Sequence, residues 1–492
     1  MTLTAAELFA GVGGFRLGLE GQPGAKNPGP FRVIWANQWE PSVRRQHAAE
    51  IYSLRWNLKE NEDDCEIFTN GLDDVLLNKD IEKVLSSEIP NHDLLCGGFP
   101  CQDYSVARTR SGEMGIKGEK GKLWTSISRI IKKSKSKPRI VFLENVPRLL
   151  NSPAVHRGLN FTVILNDLID LGYDVEWRVI NAADYGFPQK RKRIFIVAYL
   201  CGSVATPTTH PSDSIQSRIE QWIGVADYIN EESSFDIGPI CQAFPIIEQS
   251  TKGIEKITLD PNPRNQSPYQ NTGYAWKNEI GDFCMLTVKT KADYSGEHSQ
   301  LRDVIESPHN ADYEVIDQEK LRKYRYIKGQ QKEWRIRKVD MEKAKGINAE
   351  DNDNLWDLYQ RCTKGYATHL WVESRENPGY KEGVKLGIIY DYTAGAMAYP
   401  DSLDKPSRTV VTAEIGKSVS RMRHVIEYEK GKFRGLMPLE LERLNMFPDN
   451  WTEYEGISDS RRGFLMGNAL VVGIVKRLAG PLAKLIRDRS EQ

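Results

Sequence analysis

The chain has 492 residues, of which 40% are hydrophobic and 27% are charged, a balance typical of globular proteins. Its 67 basic residues equal its 67 acidic residues, which excludes the strongly basic profile of many nucleic-acid binders but leaves a local basic surface open. Seven cysteines without a CxxC pair argue against a disulfide framework and against a zinc site.

The length allows two or three domains, or one large domain with an insertion. No apolar run approaches the eighteen or so residues of a membrane span. Residues 1–14 lack the basic start and the apolar core of a secretory signal. We therefore expect a cytoplasmic protein that makes no membrane contact.

The first 200 residues alternate segments typical of strands and of helices. The predicted strands are Leu3–Phe9, Phe31–Ala36, Asp93–Cys96, Arg139–Leu143 and Arg193–Ala198, with helices from Arg16 and over Pro41–Tyr52. This alternation predicts an α/β fold with a doubly wound, mostly parallel sheet. Such sheets bind ligands at the carboxyl ends of their strands, where the informative motifs of this chain occur.

The first strand ends in a glycine-rich turn, Phe9-Ala10-Gly11-Val12-Gly13-Gly14. Glycine lets a backbone approach a ligand closely, and the helix that follows offers free N–H groups. After the second strand come Gln38 and Trp39, an amide that can hold ribose hydroxyls and a ring that can face a purine. A purely structural turn and a simple helix start are the alternatives.

The third strand leads into Gly97-Gly98-Phe99-Pro100-Cys101-Gln102. A lone cysteine is usually a small buried hydrophobe, but Cys101 follows a strand, two glycines and a proline, which predicts an exposed, rigid turn. Residues 103–122 are basic and glycine-spaced, typical of a mobile lid that closes on a polyanion. Arg108 and Arg110 in this segment, with Gln102, are candidate nucleic-acid contacts; an ordinary surface loop is the alternative.

Two polar segments border later strands. Glu144 ends the strand that begins at Arg139, where a carboxylate facing a thiol can serve as an acid or can cap a helix. Gln189, Arg191 and Arg193 alternate at the start of the next strand, so we expect their side chains on one face. Such a face can grip a carboxylate and a phosphate, or form a solvated basic edge.

From about Cys201 the sequence becomes irregular, with scattered Gly, Pro, Ser, Asn and charge. We predict a second, irregular or β-rich domain over 201–424, and an amphipathic helix over Val471–Leu485. The most basic stretch, Asp317–Lys345, holds eleven Lys or Arg against five Asp or Glu. It fits either a nucleic-acid surface or a solvated helix, and the candidate contacts are Lys332, Arg335 and Arg337.

The joint order of these motifs resembles that of the DNA (cytosine-5)-methyltransferases of bacterial restriction-modification systems. The matching blocks are Phe9–Gly14, Gly98–Gln102, Glu144–Val146, Asn181–Pro188, Gln189-x-Arg191-x-Arg193 and Gly467-Asn468. They cover about residues 1–200 and 405–492. The resemblance implies a Rossmann-like class I S-adenosylmethionine-dependent methyltransferase domain in 1–200. It also implies a target-recognition domain with an insertion in 201–424, and a return to the catalytic domain in 425–492 after the end of the recognition region.

The resemblance implies methyl transfer from S-adenosylmethionine to C5 of a flipped-out cytosine, as the protective modification of a restriction-modification system. Cys101, after Pro100, would add to C6, and Glu144 would contact N3 and the exocyclic amine. Arg193, with Arg191, would orient Glu144 and hold the nucleotide, and Gln189 belongs to the same catalytic set. The cofactor, released as S-adenosylhomocysteine, would be held without a metal by Phe9, Gly11, Gly13, Gly14, Phe15, Gln38, Trp39, Asp80, Ile81, Leu123, Asn468 and Ala469.

The implied partners are double-stranded DNA and a cognate restriction endonuclease, with the chain acting as a monomer associated with the bacterial nucleoid. Two positions depart from the family pattern. Gln38 stands where the family often has Glu, and Met437-Pro438-Leu439-Glu440 stands where it usually has Thr-Pro-Arg-Glu.

Three other functions were weighed. A tRNA cytosine-5 methyltransferase of the same fold shares the catalytic residues, but such enzymes tend to have a smaller middle region. A catalytically silent DNA-binding regulator has no need for Cys101, Glu144 and Arg193. A dinucleotide oxidoreductase explains the glycine turn and leaves the cysteine motif unexplained.

Overall fold

A computed structural model describes residues 2–41, 43–71, 74–99, 121–153, 156–209, 215–225, 237–257, 266–306, 315–329, 332–336, 367–373, 381–393, 397–416 and 418–488. These residues form a twelve-stranded sheet, a three-stranded sheet and a two-stranded sheet. Within these ranges, no helix combines the length and the apolarity needed to cross a bilayer.

Strands and helices are numbered in chain order. The strands are β1 (Leu3–Leu8), β2 (Phe31–Asn37), β3 (Lys59–Glu60), β4 (Ile67–Thr69), β5 (Val75–Leu77), β6 (Leu94–Gly98), β7 (Ile140–Asn145), β8 (Tyr173–Asn181), β9 (Lys192–Leu200), β10 (Ile246–Lys256), β11 (Thr272–Lys277), β12 (Phe283–Ala292), β13 (Lys332–Ile336), β14 (Ala367–Glu373), β15 (Lys381–Thr393), β16 (Ile426–Glu429) and β17 (Lys432–Arg434). The helices are α1 (Gly14–Leu19), α2 (His47–Arg55), α3 (Gly121–Lys133), α4 (Leu159–Asp170), α5 (Ile215–Ile223), α6 (Pro239–Ala243), α7 (Gln318–Gly329), α8 (Pro438–Leu444), α9 (Asp459–Asn468) and α10 (Val472–Asp488).

Five parallel strands, in the order β7-β6-β1-β2-β5, form the centre of the large sheet. Successive residues of β1 face opposite sides, since Ala5 lies in one apolar core and Ala6 in the other. A sheet covered on both faces needs apolar residues on both sides of its strands. On the outer side of β7, β9 and then β8 continue the sheet antiparallel. The predicted Rossmann-like α/β fold is confirmed.

Three strands of the middle region extend this sheet. Strand β11 pairs antiparallel with β8, and β12 and β10 follow it outward. The large sheet therefore does not end with the strands of the first 200 residues, because three strands between Ile246 and Ala292 also belong to it. The described part of 307–396 contains α7 and the separate sheet β13-β15-β14.

The C-terminal part returns to the first helix, since α10 packs against α1. A Cβ atom on Gly18 would lie 2.6 Å from Cβ of Val475, so the two helix backbones approach closely at a residue without a side chain. The buried face of α10 includes Ile474, Leu478 and Leu482. The amphipathic helix predicted at Val471–Leu485 is observed at Val472–Asp488.

Candidate active site

The central parallel strands bring the predicted site segments to one edge of the sheet. Strand β1 ends at the turn Phe9–Gly14, β2 at Gln38, and β7 at Glu144 and Asn145, while β5 leads to Asp80 and β6 to Phe99. Because the carboxyl ends of parallel strands share one edge, these segments are neighbours in the order of the strands. The glycine turn and the candidate acid Glu144 therefore lie at the same edge of the sheet, as the sequence predicts.

The glycine turn has a strained backbone that its surroundings hold in place. The φ angles are +54° at Phe9, +57° at Gly11 and +85° at Gly13, a left-handed region that is costly for the non-glycine Phe9. A Cβ on Gly13 would lie 2.2 Å from the Trp56 ring, whereas a Cβ on Gly11 would meet nothing within 4 Å. The turn is packed at Gly13 and open at Gly11, where its backbone is accessible to a ligand.

The end of β2 is tied to the turn and to the segment that follows β5. Gly11 N donates to Gln38 Oε1 at 2.7 Å. Asn37 Nδ2 donates to the carbonyls of Leu77 at 3.0 Å and Lys79 at 2.7 Å. Trp39 remains 38% exposed. An exposed indole beside an open glycine turn fits a ligand with an aromatic base.

The segment after β5 is clamped by helix α3. Arg129 donates to the carbonyls of Ile81 at 2.9 Å and Val84 at 2.8 Å. Ile81 is buried, and half-buried Leu123 packs on the same apolar core. Asp80 is only half-buried, and its Oδ1 accepts the backbone N–H of Glu82 at 3.1 Å. Arg129 is a site-supporting residue that no local sequence pattern indicated.

Glu144 and Arg193 form an ion pair across β7 and β9, with 2.7 Å between Glu144 Oε1 and Arg193 Nε. Glu144 Oε2 lies 3.0 Å from the place where a Cβ on Gly98 would be, so a side chain there would crowd the carboxylate. Phe15 lies close to the same point and packs edge-on against Phe142, with ring centroids 5.2 Å apart. The candidate acid thus lies between the strands β7 and β9 and the Phe15 ring of helix α1.

Burial raises the pKa of the Glu144 carboxyl, and the positive charges of Arg193 and Arg191 partly oppose the shift. A carboxyl with a raised pKa keeps a larger protonated fraction near neutrality than an exposed one. Its side chain is 13% exposed, so it is accessible as well as perturbed. Such a group can donate a hydrogen bond to a ring nitrogen.

Gln189 and Arg191 differ from the expectation that they share a strand face with Arg193. Strand β9 begins only at Lys192. Arg191 N donates to the carbonyl of Gln189 at 2.9 Å, which is a tight turn rather than extended backbone. Of the three long side chains, that of Arg193 contacts Glu144, and the other two are buried elsewhere.

The buried side chains of Gln189 and Arg191 attach the C-terminal part of the chain to the sheet. Gln189 Nε2 donates to Asn445 Oδ1 at 3.0 Å, and its Oε1 accepts the N–H of Val410 at 2.9 Å. Arg191 donates to the carbonyls of Val410 at 3.0 Å and Gly467 at 2.8 Å. Both side chains thus join the start of β9 to the C-terminal part of the chain, and the charge of Arg191 also acts on Glu144.

Pro100, Cys101, Gln102, Arg108 and Arg110 lie outside the described residues. The residue before them, Phe99, is buried, with its ring centroid 6.2 Å from that of Trp124. Its carbonyl accepts a hydrogen bond from Asn145 Nδ2 at 3.1 Å. Strand β7 therefore supplies both the candidate acid and a bond that fixes the backbone leading to the candidate nucleophile.

The remaining candidate residues lie in the C-terminal part and the basic stretch. Asn468 is exposed at the end of α9, with half-buried Ala469 next to it, and Leu470 Cγ lies 3.4 Å from a Cβ position on Gly14. Lys332 and Arg335 lie on strand β13, and Arg337 lies outside the described residues. The helical alternative for Asp317–Lys345 therefore holds for α7 but not for β13.

Among the residues with described positions, no three His, Cys, Asp or Glu side chains group in a way that would hold a metal ion. The described cysteines are free thiols, and Cys65 and Cys201 are exposed.

Comparison with known protein families gives a match over nearly the whole chain. The model of the family described as C-5 cytosine-specific DNA methylase matches residues 3–484. The type II methyltransferase M.Sau3AI of Staphylococcus aureus is 36% identical over 491 residues, which are 98% of this chain and 96% of that protein. M.HhaI, a type II methyltransferase of Haemophilus parahaemolyticus, is 34% identical over 193 residues, or 39% of this chain and 48% of that protein.

Among solved structures, the Entamoeba histolytica methyltransferase EhMeth aligns with a TM-score of 0.52 at 14% identity, and the alignment covers 100% of both chains. At this identity the likeness concerns the fold alone. It agrees with the Rossmann-like sheet described above.

Proposed function

Since the chain belongs to the C-5 cytosine-specific DNA methylase family, we propose that it methylates C5 of a cytosine within a specific double-stranded DNA sequence through a covalent adduct with Cys101. The observation that carries the proposal is the Glu144–Arg193 ion pair. The pair lies beside Gly98, and Gly98 precedes Cys101 by three residues in the sequence. An accessible carboxyl with a raised pKa next to an open glycine turn is suited to activating a cytosine ring.

In the proposed reaction the Cys101 thiolate adds to C6 of cytosine. The C5–C6 π bond breaks, and its electron pair becomes available at C5. The protonated Glu144 carboxyl donates a hydrogen bond to N3 and accepts a hydrogen bond from the exocyclic amine, which stabilises the electron-rich ring. The electron pair at C5 forms the bond to the methyl group, whose bond to the donor sulfur breaks with its electron pair left on that sulfur, so that S-adenosylhomocysteine is the leaving group. The C5 proton then passes to a base, the C5–C6 double bond reforms and the Cys101 thiolate leaves.

The target atoms of cytosine lie inside the duplex, so the base must leave the stack before the reaction. In this proposal Arg193 would hold the flipped nucleotide as well as orient Glu144, which is supported by the ion pair of its Nε with Glu144 and by the 16% exposure of its side chain. A neighbouring positive charge also favours a thiolate over a thiol. The basic segment 103–122 supplies such charges in the sequence next to Cys101.

The residues present fit S-adenosylmethionine, which supplies the methyl group when bound. The exposed Trp39 ring would stack on adenine, and Asp80 with Ile81 would hold its edge. Gln38 would donate to the ribose through Nε2, because its Oε1 already accepts from Gly11. The other proposed contacts are Phe9, Gly11, Gly13, Gly14, Phe15, Leu123, Asn468 and Ala469.

DNA is favoured over tRNA as the substrate. The family description names DNA, and the full-length relative is a type II methyltransferase. A silent DNA-binding regulator is disfavoured because the Glu144–Arg193 pair is intact. We further propose that the chain acts as a monomer, in the bacterial cytoplasm and on nucleoid DNA. There it would protect the sequence that a partner restriction endonuclease cuts.

The test is expression in a host that lacks DNA methylation, followed by bisulfite sequencing. The parent chain is expected to place methylcytosine at one short consensus sequence. Cys101→Ser is expected to leave none, while its affinity for S-adenosylmethionine, measured by calorimetry, stays within about twofold. Cys65→Ser is the matched control, since Cys65 is an exposed free thiol, and full methylation is expected.

Parental levels of methylation by Cys101→Ser would remove the nucleophile assignment. A well-expressed parent chain that leaves no methylcytosine in DNA would contradict the DNA substrate. Methylcytosine in tRNA from the same cells would then identify the alternative enzyme of the same fold.

A further inference from the structure

The segment from Phe447 to Trp451 covers the glycine turn from the outside. Trp451 Nε1 donates to the carbonyl of Val12 at 2.8 Å, a contact between residues 439 positions apart. Phe447 Cζ lies 3.3 Å from a Cβ position on Gly14. Trp451 is 5% exposed, so this hydrogen bond is shielded from water and is costly to leave unmade.

A second tryptophan completes this covering. The Trp56 ring occupies the space beside Gly13, and Trp451 meets it edge-on with centroids 5.2 Å apart and an interplanar angle of 75°. Val12, Gly13 and Gly14 therefore each contact an aromatic side chain. We call Trp56, Phe447 and Trp451 the aromatic wall.

Arg55 fixes the backbone that carries Trp451. Its Nε donates to the Trp451 carbonyl at 2.7 Å, and its Nη2 donates to the carbonyls of Asn450 at 2.6 Å and Glu453 at 2.7 Å. Three carbonyls on one planar guanidinium leave little freedom to the segment. The direction of the Trp451 indole N–H is thus set from the end of α2.

The bond from Trp451 determines the orientation of one peptide plane in the turn. The Val12 carbonyl and the Gly13 N–H belong to the same planar unit. The Gly13 N–H donates inward to Ala10 O at 2.8 Å, while the carbonyl accepts outward from Trp451. The plane is therefore held at both ends, next to the open backbone at Gly11.

We propose that Trp451 is a positioning residue for the cofactor, and that the C-terminal part of the chain sets cofactor affinity through it. The inference rests on the proposed function, since it takes the glycine turn as the S-adenosylmethionine site. Trp451 acts through Val12 and the turn, not by touching the cofactor. Because binding free energies are linked reciprocally, cofactor binding also stabilises the docking of this C-terminal segment.

The test is Trp451→Phe in the full chain, which keeps an aromatic ring in the wall and removes the N–H donor. We expect S-adenosylhomocysteine, measured by calorimetry, to bind about five- to tenfold more weakly, the effect of losing one buried hydrogen bond. KM for S-adenosylmethionine should rise by the same factor. The kcat and the KM for DNA should stay within about twofold, a split that general destabilisation does not produce.

Trp276→Phe is the matched control. Trp276 is 1% exposed, and its Nε1 has no hydrogen-bond partner among the described residues. This substitution also removes a buried indole but no positioned donor. Cofactor affinity is expected to match that of the parent.

Arg55→Lys is the second variant and carries the test if Trp451→Phe does not fold. It keeps the charge but loses the planar fork that binds three carbonyls, so the cofactor should again bind more weakly. Parental cofactor affinity in whichever of these variants folds would overturn the inference, whatever happens to its melting temperature. A parent chain that binds no cofactor would overturn the proposed function itself, an outcome visible before any variant is compared.

Discussion

A fully buried carboxyl, Glu7 on β1, lies directly beneath the glycine turn. Tyr52 OH donates to it at 3.2 Å and Arg16 N at 3.4 Å. Burial raises the pKa of Glu7 to about 8, against the opposing charge of Arg16. At neutral pH the protein therefore folds with this carboxyl largely protonated.

Glu7→Gln should change how stability depends on pH. The folded pKa of about 8 lies above the ordinary value of 4.5, so the folded state holds an extra proton between these values. The stabilisation that the folded protein gains from this bound proton is fully present below about pH 4.5 and is lost as the pH rises to about 8. Over this window the free energy of unfolding should fall by up to about 1.4 kcal/mol per pH unit in the parent relative to Glu7→Gln.

Urea unfolding between pH 5 and 9 measures this difference. Glu62→Gln is the control, since Glu62 is exposed, and its curve should run parallel to that of the parent. Parallel curves for Glu7→Gln and the parent would show that Glu7 titrates alike in the folded and unfolded states.

For single residues, the sequence predicted best the charged side chains at the ends of strands. Glu144 and Arg193 were predicted to pair, and they do. Gln189 was assigned to the same group, yet its partners lie at Val410 and Asn445, far along the chain. Trp451 was not singled out, because an aromatic residue in an apolar stretch is more often core than support for a site.

At the scale of elements, helix α7 docks through a buried lysine. Lys328 is fully buried, and its Nζ donates to Asp401 Oδ2 at 2.7 Å. Asp401 also accepts from Arg408 Nε at 2.5 Å and from Val425 N at 2.9 Å. Burial acts to raise the pKa of Asp401, but the hydrogen bond from Arg408 and the nearby positive charges outweigh it and lower the pKa to about 2.

Single substitutions of Asp401 and of Lys328 should lower the free energy of unfolding by different amounts. Asp401→Asn leaves the Lys328 ammonium buried without a counter-charge and should cost about 3–5 kcal/mol of unfolding free energy. Lys328→Met should cost clearly less, because Asp401 keeps Arg408 and the buried methionine restores apolar packing. Denaturant unfolding of both variants measures the order, and a larger loss for Lys328→Met would contradict the account.

Most predicted elements of the first 200 residues are observed within a few positions. The helix expected over Pro41–Tyr52 begins only at His47. The reason is a local side-chain contact: the Gln46 amide bonds the N–H of Glu40 at 2.8 Å and its carbonyl at 2.9 Å, which holds a turn. Strands β10 to β12 were not predicted as part of the large sheet, since they join it through the pairing of β11 with β8, which is non-local and leaves no periodic signal in the sequence.

At the scale of the whole molecule, an overall charge of zero leaves DNA binding to local surfaces. The described part of the basic stretch Asp317–Lys345 consists mainly of helix α7 and strand β13. Strand β13 belongs to the three-stranded sheet of the predicted target-recognition region. A short sheet that carries basic residues is one of the structures that proteins place against DNA.

Replacing Lys332, Arg335 and Arg337 together with Ala should weaken DNA binding. Each lost phosphate contact lowers the slope of log K against log salt by roughly 0.9, so three lost contacts would lower it by about 2.7. Fluorescence anisotropy with a duplex at several salt concentrations measures the slope. The matched control replaces Lys132, Lys133 and Lys135, three exposed lysines near the amino end of β7, and an equal change there would assign the effect to net charge.

The close packing of α1 against α10 has a consequence for the protein during its synthesis on the ribosome. Helix α1 leaves the ribosome long before its partner Val475, which packs on Gly18 and follows it by 457 positions in the chain. Until α10 is made, the nascent chain exposes the apolar surface of α1 that α10 covers, and such surface attracts chaperones and proteases. Chains that stop before Val472 are thus expected to be cleared rather than to persist as partly active enzyme.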